Sequence, residues 1–280
     1  MRKRIIFTDL DGTLLHPLTF SYHQALEALR LLQEREIPLI FCSARTRAEQ
    51  EVYRRQLGVD DPFIVENGGA IFIPKKYFPF HFDYHKAIED YLVIELGAPQ
   101  EEIRQALNKI EQEVGLSIKS LAEMTVEEVA QESGLSLEFA ALAKQREYDE
   151  AFILKGEERE RRAFLEKFNR VGLSYTYGGK FYHAMRGSDK GKAVKILTEL
   201  LRKKFNLIET VGIGDNQNDL PMLAVVDIPI LVQKLKKPAL SQPEQGKAAE
   251  WEKINLPRLH KVEGIGPEGW RKAILEELKL

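Results

Sequence analysis

The stretch Arg4-Ile5-Ile6-Phe7-Thr8-Asp9-Leu10-Asp11-Gly12-Thr13 decides how this chain is read. A short β-rich run ends directly on a carboxylate, a second carboxylate follows two positions on, and Gly12 then lets the backbone turn away. Residues spaced by two along a strand share a face, so Asp9 and Asp11 are expected on one side of the strand's end. Carboxylates so placed supply one nucleophile and one proton-transfer group. A calcium loop also contains Asp-x-Asp, but its further Asp/Asn and Gly positions and its twelfth-position Glu are absent here.

Outward from this strand the pattern alternates. Residues 21–34 carry Ala25, Leu26, Ala28, Leu29 and Leu32 at helical spacing, 37–42 reads as a buried strand, and 47–57 as a helix. A third strand at 63–65 is closed by Asn67-Gly68-Gly69. Prolines and aromatics interrupt the alternation at 74–79, which reads as a linker. Beyond it come strands at 91–96 and near 116–120, helical stretches at 100–114 and 126–144, a strand at 151–154 and a helix at 157–171. Paired strands at 173–177 and 181–185 follow around Gly178-Gly179. After Gly187 the first pattern resumes with a helix at 190–205, a strand at 210–213, a helix at 220–225 and a strand at 229–232. Residues 235–267 read as irregular, and 270–278 as a last amphipathic helix. The expected fold is α/β, with a Rossmann-like parallel-sheet core of residues 1–83 and 187–280 and an inserted α/β cap at 84–186.

A chain of 280 residues is long enough for two moderate domains, and 44% hydrophobic with 30% charged residues is an ordinary globular composition. The single Cys42 excludes an internal disulfide framework and a multi-cysteine zinc site, which suits a reducing compartment; the cytoplasm is expected. No stretch approaches the roughly 20 apolar residues that span a bilayer, and Arg2-Lys3-Arg4 runs straight into the first strand, so neither a membrane span nor a signal peptide is expected. Lys plus Arg number 41 against 43 Asp plus Glu, and a formal charge of −2 carries no footprint for nucleic acid or an anionic membrane. Any anion site is therefore local.

Ligands of open parallel sheets bind beyond the carboxyl ends of the strands, and three more segments fall there. Ser43 follows Leu39-Ile40-Phe41-Cys42, where its hydroxyl and the adjacent amides suit a phosphate oxygen. Gly187-Ser188-Asp189-Lys190-Gly191 sets a lysine at a helix start, where ammonium and helix dipole both favour an anion. Gly214-Asp215-Asn216-Gln217-Asn218-Asp219 follows a strand with carboxylates that are hard ligands for magnesium. Taken singly, Ser43 also suits a helix cap and Lys190 a surface turn. Cys42 has no histidine partner in view and reads as a small buried hydrophobe rather than a nucleophile.

These four segments in this order resemble the haloacid-dehalogenase-like phosphatase superfamily, whose pattern opens Asp-x-Asp-x-Thr and ends Gly-Asp-x-x-x-Asp. The resemblance implies Asp9 as nucleophile, Asp11 as general acid and base, and Ser43 and Lys190 as phosphate binders. It also implies Mg2+ as cofactor, with Asp9, Asp11, Asp215 and Asp219 as the metal residues. Within the insert, Arg146-Glu147-Tyr148-Asp149-Glu150 and Gly178-Gly179-Lys180-Phe181-Tyr182-His183 resemble cap segments of the mannosyl-3-phosphoglycerate phosphatase family, as does Gly266-Pro267-Glu268-Gly269-Trp270 near the end. That family hydrolyses mannosyl-3-phosphoglycerate to mannosylglycerate, a compatible solute, and phosphate. The resemblance implies Arg45, Arg146, Gly178, Gly179 and Lys180 as substrate-binding residues. By their own chemistry Arg146-Glu147-Tyr148-Asp149 also suits an exposed turn and Gly178-Gly179 a plain hairpin.

The chain departs from the family at Ser43-Ala44-Arg45-Thr46, where a Ser-Lys-Thr run is usual; Arg45 keeps the charge but changes the geometry, which leaves mannosyl against glucosyl preference open. A broader sugar-phosphate phosphatase, a phosphohexomutase sharing the aspartyl-phosphate chemistry, and a catalytically silent binding module are the competing readings. A P-loop NTPase is not expected, because no Gly-x-x-x-x-Gly-Lys-Ser/Thr occurs.

Overall fold

The computed structural model describes residues 2–178, 180–235, 254 and 256–277. Its centre is a five-stranded parallel sheet in the order β13-β12-β11-β1-β2, built from β1 (Lys3–Thr8), β2 (Leu39–Phe41), β11 (Ile208–Gly214), β12 (Ile228–Gln233) and β13 (His260–Ile265). Alternation along β1 divides the core between two faces. Ile6 packs with Ala28, Leu29 and Leu32 of α1 (Leu26–Glu34) and with Trp270 of α9 (Pro267–Lys272), while Ile5 and Phe7 pack with Ala193, Val194, Leu197 and Leu201 of α7 (Lys190–Phe205). All three β1 side chains are fully buried, and each such burial contributes about 1.5–3 kcal/mol. A sheet covered by helices on both faces is what near-continuous apolar strands require.

The third strand, β3 (Phe63–Val65), touches β2's end through a parallel bridge between Cys42 and Ile64 and begins a second sheet, β3-β4-β6-β5. Here the structure departs from the sequence reading. Residues 70–74 form β4 (Ala70–Pro74), which pairs antiparallel with β3 and, from Ala70↔Glu95 to Pro74↔Tyr91, with β6 (Tyr91–Glu95); β5 (Lys86–Ile88) completes the sheet. The stretch read as a linker is packed as well: Phe78 is buried against the core, and Tyr77 donates its hydroxyl to Asp61 at 2.7 Å. Its aromatics answer a hydrophobic face that the local pattern around Pro74 and Pro79 does not reveal.

After Glu95 the chain leaves this sheet, and after Arg186 it rejoins the core at α7. The two crossings lie side by side, with Ala98 N–H donating to Arg186 C=O at 3.1 Å. Between them an antiparallel sheet, β7-β8-β10-β9, is formed by β7 (Ile118–Ser120), β8 (Glu150–Leu154), β9 (Ser174–Gly178) and β10 (Phe181–Met185). Phe152 faces α3 (Gln100–Val114) and α6 (Glu158–Glu166), while Ala151 and Ile153 face α4 (Val126–Ser133) and α5 (Leu137–Ala143). The helical stretch expected over 126–144 is therefore two helices. Gly134 adopts a left-handed C-cap (φ 79°) and Ser136 caps a new start, accepting from Phe139 N–H. The helix expected over 157–171 likewise ends at Glu166 and finishes as a 3₁₀ turn, Phe168–Val171.

In the region read as irregular, β13 pairs parallel with β12 across an irregularity between Val232 and Gln233. Its Glu263-Gly264 interruption hides the strand pattern. The rest of that reading, 236–253 and 255, lies outside the described residues, as does Gly179.

Candidate active site

The chain runs from β1 to β2 on one side and returns to β11 on the other, so the sheet's topological switch lies at β1, and ligands of open α/β sheets bind at such a point. Asp9 follows β1 there, its N–H donating to Ile213 C=O at 2.9 Å. Cys42 N–H donates to Thr8 C=O at 2.8 Å, which sets Ser43 at the neighbouring strand end. From the opposite side α7 enters, capped by Asp189 accepting from Lys192 N–H at 2.8 Å, and directs Lys190 into the centre.

The fully buried Lys190 ammonium donates to Asp9 Oδ1 and to Asp219 Oδ1, both at 2.6 Å. Asp219 uses its other oxygen to accept from the N–H groups of Asp215 and Asn216, at 3.0 and 3.1 Å, and thereby shapes the turn that carries Asp215. This closeness depends on two glycines. A Cβ at Gly214 would lie 2.5 Å from Asp219 Cβ, and one at Gly12, where φ is +85°, 2.6 Å from Asp215 Oδ2.

Burial, with the Asp219 carboxylate alongside, pushes the Asp9 carboxyl up to about 7 against the pull of Lys190. Burial likewise raises Asp215 well above the usual carboxylate range, helped by Asp219 and Asp9. Burial would lower Lys190, but Asp219 and Asp9 outweigh it and hold the ammonium above its ordinary range. Asp9, Asp215 and Asp219 each offer an oxygen within 4.8 Å of the others, and all three are buried. Three carboxylates around one ammonium leave an excess of negative charge lined by hard oxygen donors, which fits a divalent cation of the magnesium kind.

The other expected residues are placed as follows. Asp11 turns its carboxylate away from this cluster: Arg45 grips both oxygens, from Nε at 2.8 Å and Nη2 at 2.6 Å. Arg45 is itself buried, donates to Glu49 at 2.8 Å and stacks over the rings of Phe20 and Tyr53. Its partners are internal. Ser43 is buried with its hydroxyl accepting from Arg45 N–H at 3.3 Å. Arg146 is also buried, paired with Asp149 and donating to Ala44 C=O at 2.6 Å, so it bridges the insert to the Ser43 loop. Lys180 is half-exposed and paired with Glu132, and Gly178 ends β9, accepting from Lys180 N–H at 2.9 Å. Burial pushes the Cys42 thiol up, away from thiolate chemistry.

Sequence reasoning passed over Glu66 and Asn67. Both are buried between the Ser43 loop and the insert, and Asn67 accepts from Asn218 at 3.4 Å and donates to Asp149 at 3.3 Å. The available signal was a charged residue ending an apolar strand, Phe63-Ile64-Val65-Glu66. The insert reaches the centre as well, because β9 lies against the 217–219 turn.

An open α/β sheet carries Asp-x-Asp after β1, a buried lysine at a helix start and paired carboxylates after β11, and this arrangement belongs to a family of hydrolases. The chain belongs to the haloacid dehalogenase-like hydrolases, whose family model matches residues 6–241. It is 47% identical over 274 residues, covering 98% of this chain and 97% of the relative, to the glucosyl-3-phosphoglycerate/mannosyl-3-phosphoglycerate phosphatase of Methanococcoides burtonii. It is 42% identical over 233 residues, 83% of this chain and 92% of the relative, to the mannosyl-3-phosphoglycerate phosphatase of Pyrococcus furiosus. Among solved structures it resembles the sucrose-phosphatase of Synechocystis, with a TM-score of 0.62 and 18% identity over 98% of this chain and 97% of that one.

Proposed function

We propose that this protein is a Mg2+-dependent phosphatase that hydrolyses mannosyl-3-phosphoglycerate to mannosylglycerate and phosphate through a phosphorylated Asp9. The observation that carries the reading is the buried Lys190 ammonium, 2.6 Å from both Asp9 and Asp219, at the adjacent ends of β1 and β11. A phosphoryl group would repel a bare Asp9 carboxylate, and Lys190 offsets that repulsion while fixing one Asp9 oxygen so that the other is free to attack. Mg2+ held by Asp9, Asp215 and Asp219 would supply further neutralisation of phosphoryl charge.

In the first half-reaction the Asp9 oxygen–phosphorus bond forms as the phosphorus–glycerate oxygen bond breaks, and Asp11 passes a proton to the departing oxygen. In the second, Asp11 takes a proton from water as the water oxygen attacks phosphorus, which frees Asp9 and inorganic phosphate. Such proton transfer contributes roughly 10²- to 10⁴-fold. Arg45 holds Asp11 at the strand end, and one of its two contacts opens for that carboxyl to carry a proton, while Ser43 at the adjacent strand end is suited to a phosphoryl oxygen. Asp11 was also expected among the metal residues; its carboxylate is gripped by Arg45 and lies outside the group formed by Asp9, Asp215 and Asp219, so this reading gives the metal to those three and proton transfer to Asp11.

The cap, expected over 84–186, acts in this reading to recognise the sugar and glycerate, with β9 resting by the 217–219 turn; because β5 and β6 pair into the sheet begun by β3, we place its start after Glu95. Arg146 acts there by positioning its loop, and Lys180 by way of the β9–β10 hairpin. Among the described residues no helix is long and apolar enough to cross a membrane, and we assign the protein to the cytoplasm with a small-molecule substrate. The name of the Methanococcoides burtonii relative favours the glucosyl compound as a second substrate. The test is Mg2+-dependent phosphate release from mannosyl- and glucosyl-3-phosphoglycerate, mannose 6-phosphate and 3-phosphoglycerate, with Asp9→Asn as control. Preference for the first two, abolished by the substitution and by a chelator, is expected. Equal rates on all four would remove the specificity, and no release from any would remove the phosphatase.

A further inference from the structure

Glu66 follows β3 with φ 47° and is fully buried, a costly place for a carboxylate without donors. Its donors come from the inserted unit. Both oxygens accept from Glu147 N–H at 3.0 Å, and one also accepts from Tyr148 N–H at 2.8 Å and Asp149 N–H at 3.0 Å. Three consecutive amides converging on one carboxyl form a nest, and here that carboxyl is a side chain of the core, which burial pushes up to about 8 against the pull of Arg146 and of the amides.

The loop held in this way reaches three parts of the site. Arg146 donates to Ala44 C=O beside Ser43 at 2.6 Å, and Asn67, whose own N–H donates to Ser43 C=O at 3.0 Å, links Asp149 to Asn218 in the 215–219 turn. Asp149 is also hydrogen-bonded to His183 Nδ1 on β10 at 3.0 Å. The fit is tight, for a Cβ at Gly69 would lie 2.3 Å from Tyr148 Cβ. Glu66 therefore fixes, through backbone amides, a loop whose side chains join the strand-end loops of the core to the sheet of the insert.

We propose that Glu66 is a positioning residue that seats the 146–149 loop, and with it the Asp149–His183 pair, on the core, so that recognition of the leaving group is held in register with Asp9. The substrate readout rests on the phosphatase reading above. Recognition energy that is made alike in the ground and transition states appears in KM rather than kcat. A leaving group too small to need the insert is then indifferent to Glu66.

The experiment compares wild type with Glu66→Gln and Glu66→Asp. Gln replaces one acceptor oxygen by a donor facing the amides, while Asp keeps both acceptor oxygens but withdraws them by one methylene. The expected result is a KM for mannosyl-3-phosphoglycerate raised by roughly 10- to 100-fold in Glu66→Gln and by less in Glu66→Asp. Turnover of para-nitrophenyl phosphate is expected to stay within about twofold, and the 147–149 amides to exchange hydrogen about 10-fold faster. Proportional losses on both substrates would reduce Glu66 to a general structural role, and an unchanged KM would overturn the proposal. Should wild type release no phosphate from the sugar–glycerate substrates, the functional reading fails and amide exchange decides Glu66 alone: unchanged protection at 147–149 overturns it. Should Glu66→Gln not fold, Glu66→Asp carries the same comparisons.

Discussion

Replacing Lys190 by Met removes the ammonium from a site that is fully closed to water, leaving Asp9 and Asp219, each 2.6 Å from it, facing one another without compensation. At an effective dielectric constant near 20, each contact has a gross attraction of about 6 kcal/mol, most of which offsets the desolvation of buried charges. Breaking such a buried pair from one side costs about 3–5 kcal/mol. For 280 residues, at roughly 2 cal/mol/K of unfolding entropy each, this lowers the melting temperature of the metal-free protein by about 5–9 °C. The same excess of negative charge makes the variant a better cation site. In the absence of substrate, Mg2+ is expected to bind Lys190→Met about 10-fold or more tightly than wild type and to restore much of the lost stability, although turnover falls by roughly 10²- to 10³-fold. Calorimetry with and without Mg2+, with chelated protein as the reference, reads all of this. It is best run near pH 8, above the value of about 7 to which Asp9 is pushed. A metal-free variant that melts with wild type and binds Mg2+ no better would refute the assignment of Lys190 as the internal counter-ion.

Two further outcomes are expected. Burial raises the Asp149 carboxyl, but Arg146 and His183 more than offset it and hold it at about 2, below its ordinary 3.8. A depressed carboxylate contributes stability that is fully present above the unfolded value and is lost as pH falls through the folded one, here of order 2 kcal/mol between about pH 4 and 2. Asp149→Asn should therefore flatten that limb of a circular-dichroism acid-unfolding curve, and curves parallel to wild type would contradict the pairing. Trp270 is fully buried and donates its indole N–H to Thr8 Oγ1 at 3.0 Å, so Trp270→Phe should cost about 2–3 kcal/mol in urea unfolding through the lost bond and the cavity beside β1. A midpoint unchanged from wild type would show that α9 does not brace the strand carrying Asp9.

Much of the fold was written locally. Helices α2 (Arg47–Leu57), α3 and α7 match their expected bounds, because each has an apolar stripe and a terminal signal in its own residues, such as the Thr46–Glu49 capping box and Gly58 at the two ends of α2. Strands β4, β5 and β13 escaped notice because a short strand is defined by its neighbours. β4 exists as a strand through pairing with β3 and β6, and β13 through β12. Gly134 was a local signal for a helix break that the apolar periodicity of residues 126–144 masked.

The same division runs through the site. The sequence by itself determined where the candidate groups stand: Asp9, Asp11, Ser43, Lys190, Asp215 and Asp219 fall at strand or helix ends, a position that follows from periodicity, while the roles proposed for them follow from the family resemblance. It could not determine which charge meets which, since ion pairing depends on distances between segments remote along the chain. Lys190 joins Asp9 across 181 positions, Arg45 takes Asp11 across 34, and Glu66 gathers amides 81 to 83 positions away. Only the tertiary structure shows that Arg45 is buried against Asp11 and Glu49 and Arg146 against Asp149, because desolvation inside the folded chain requires each buried charge to find its partner within it.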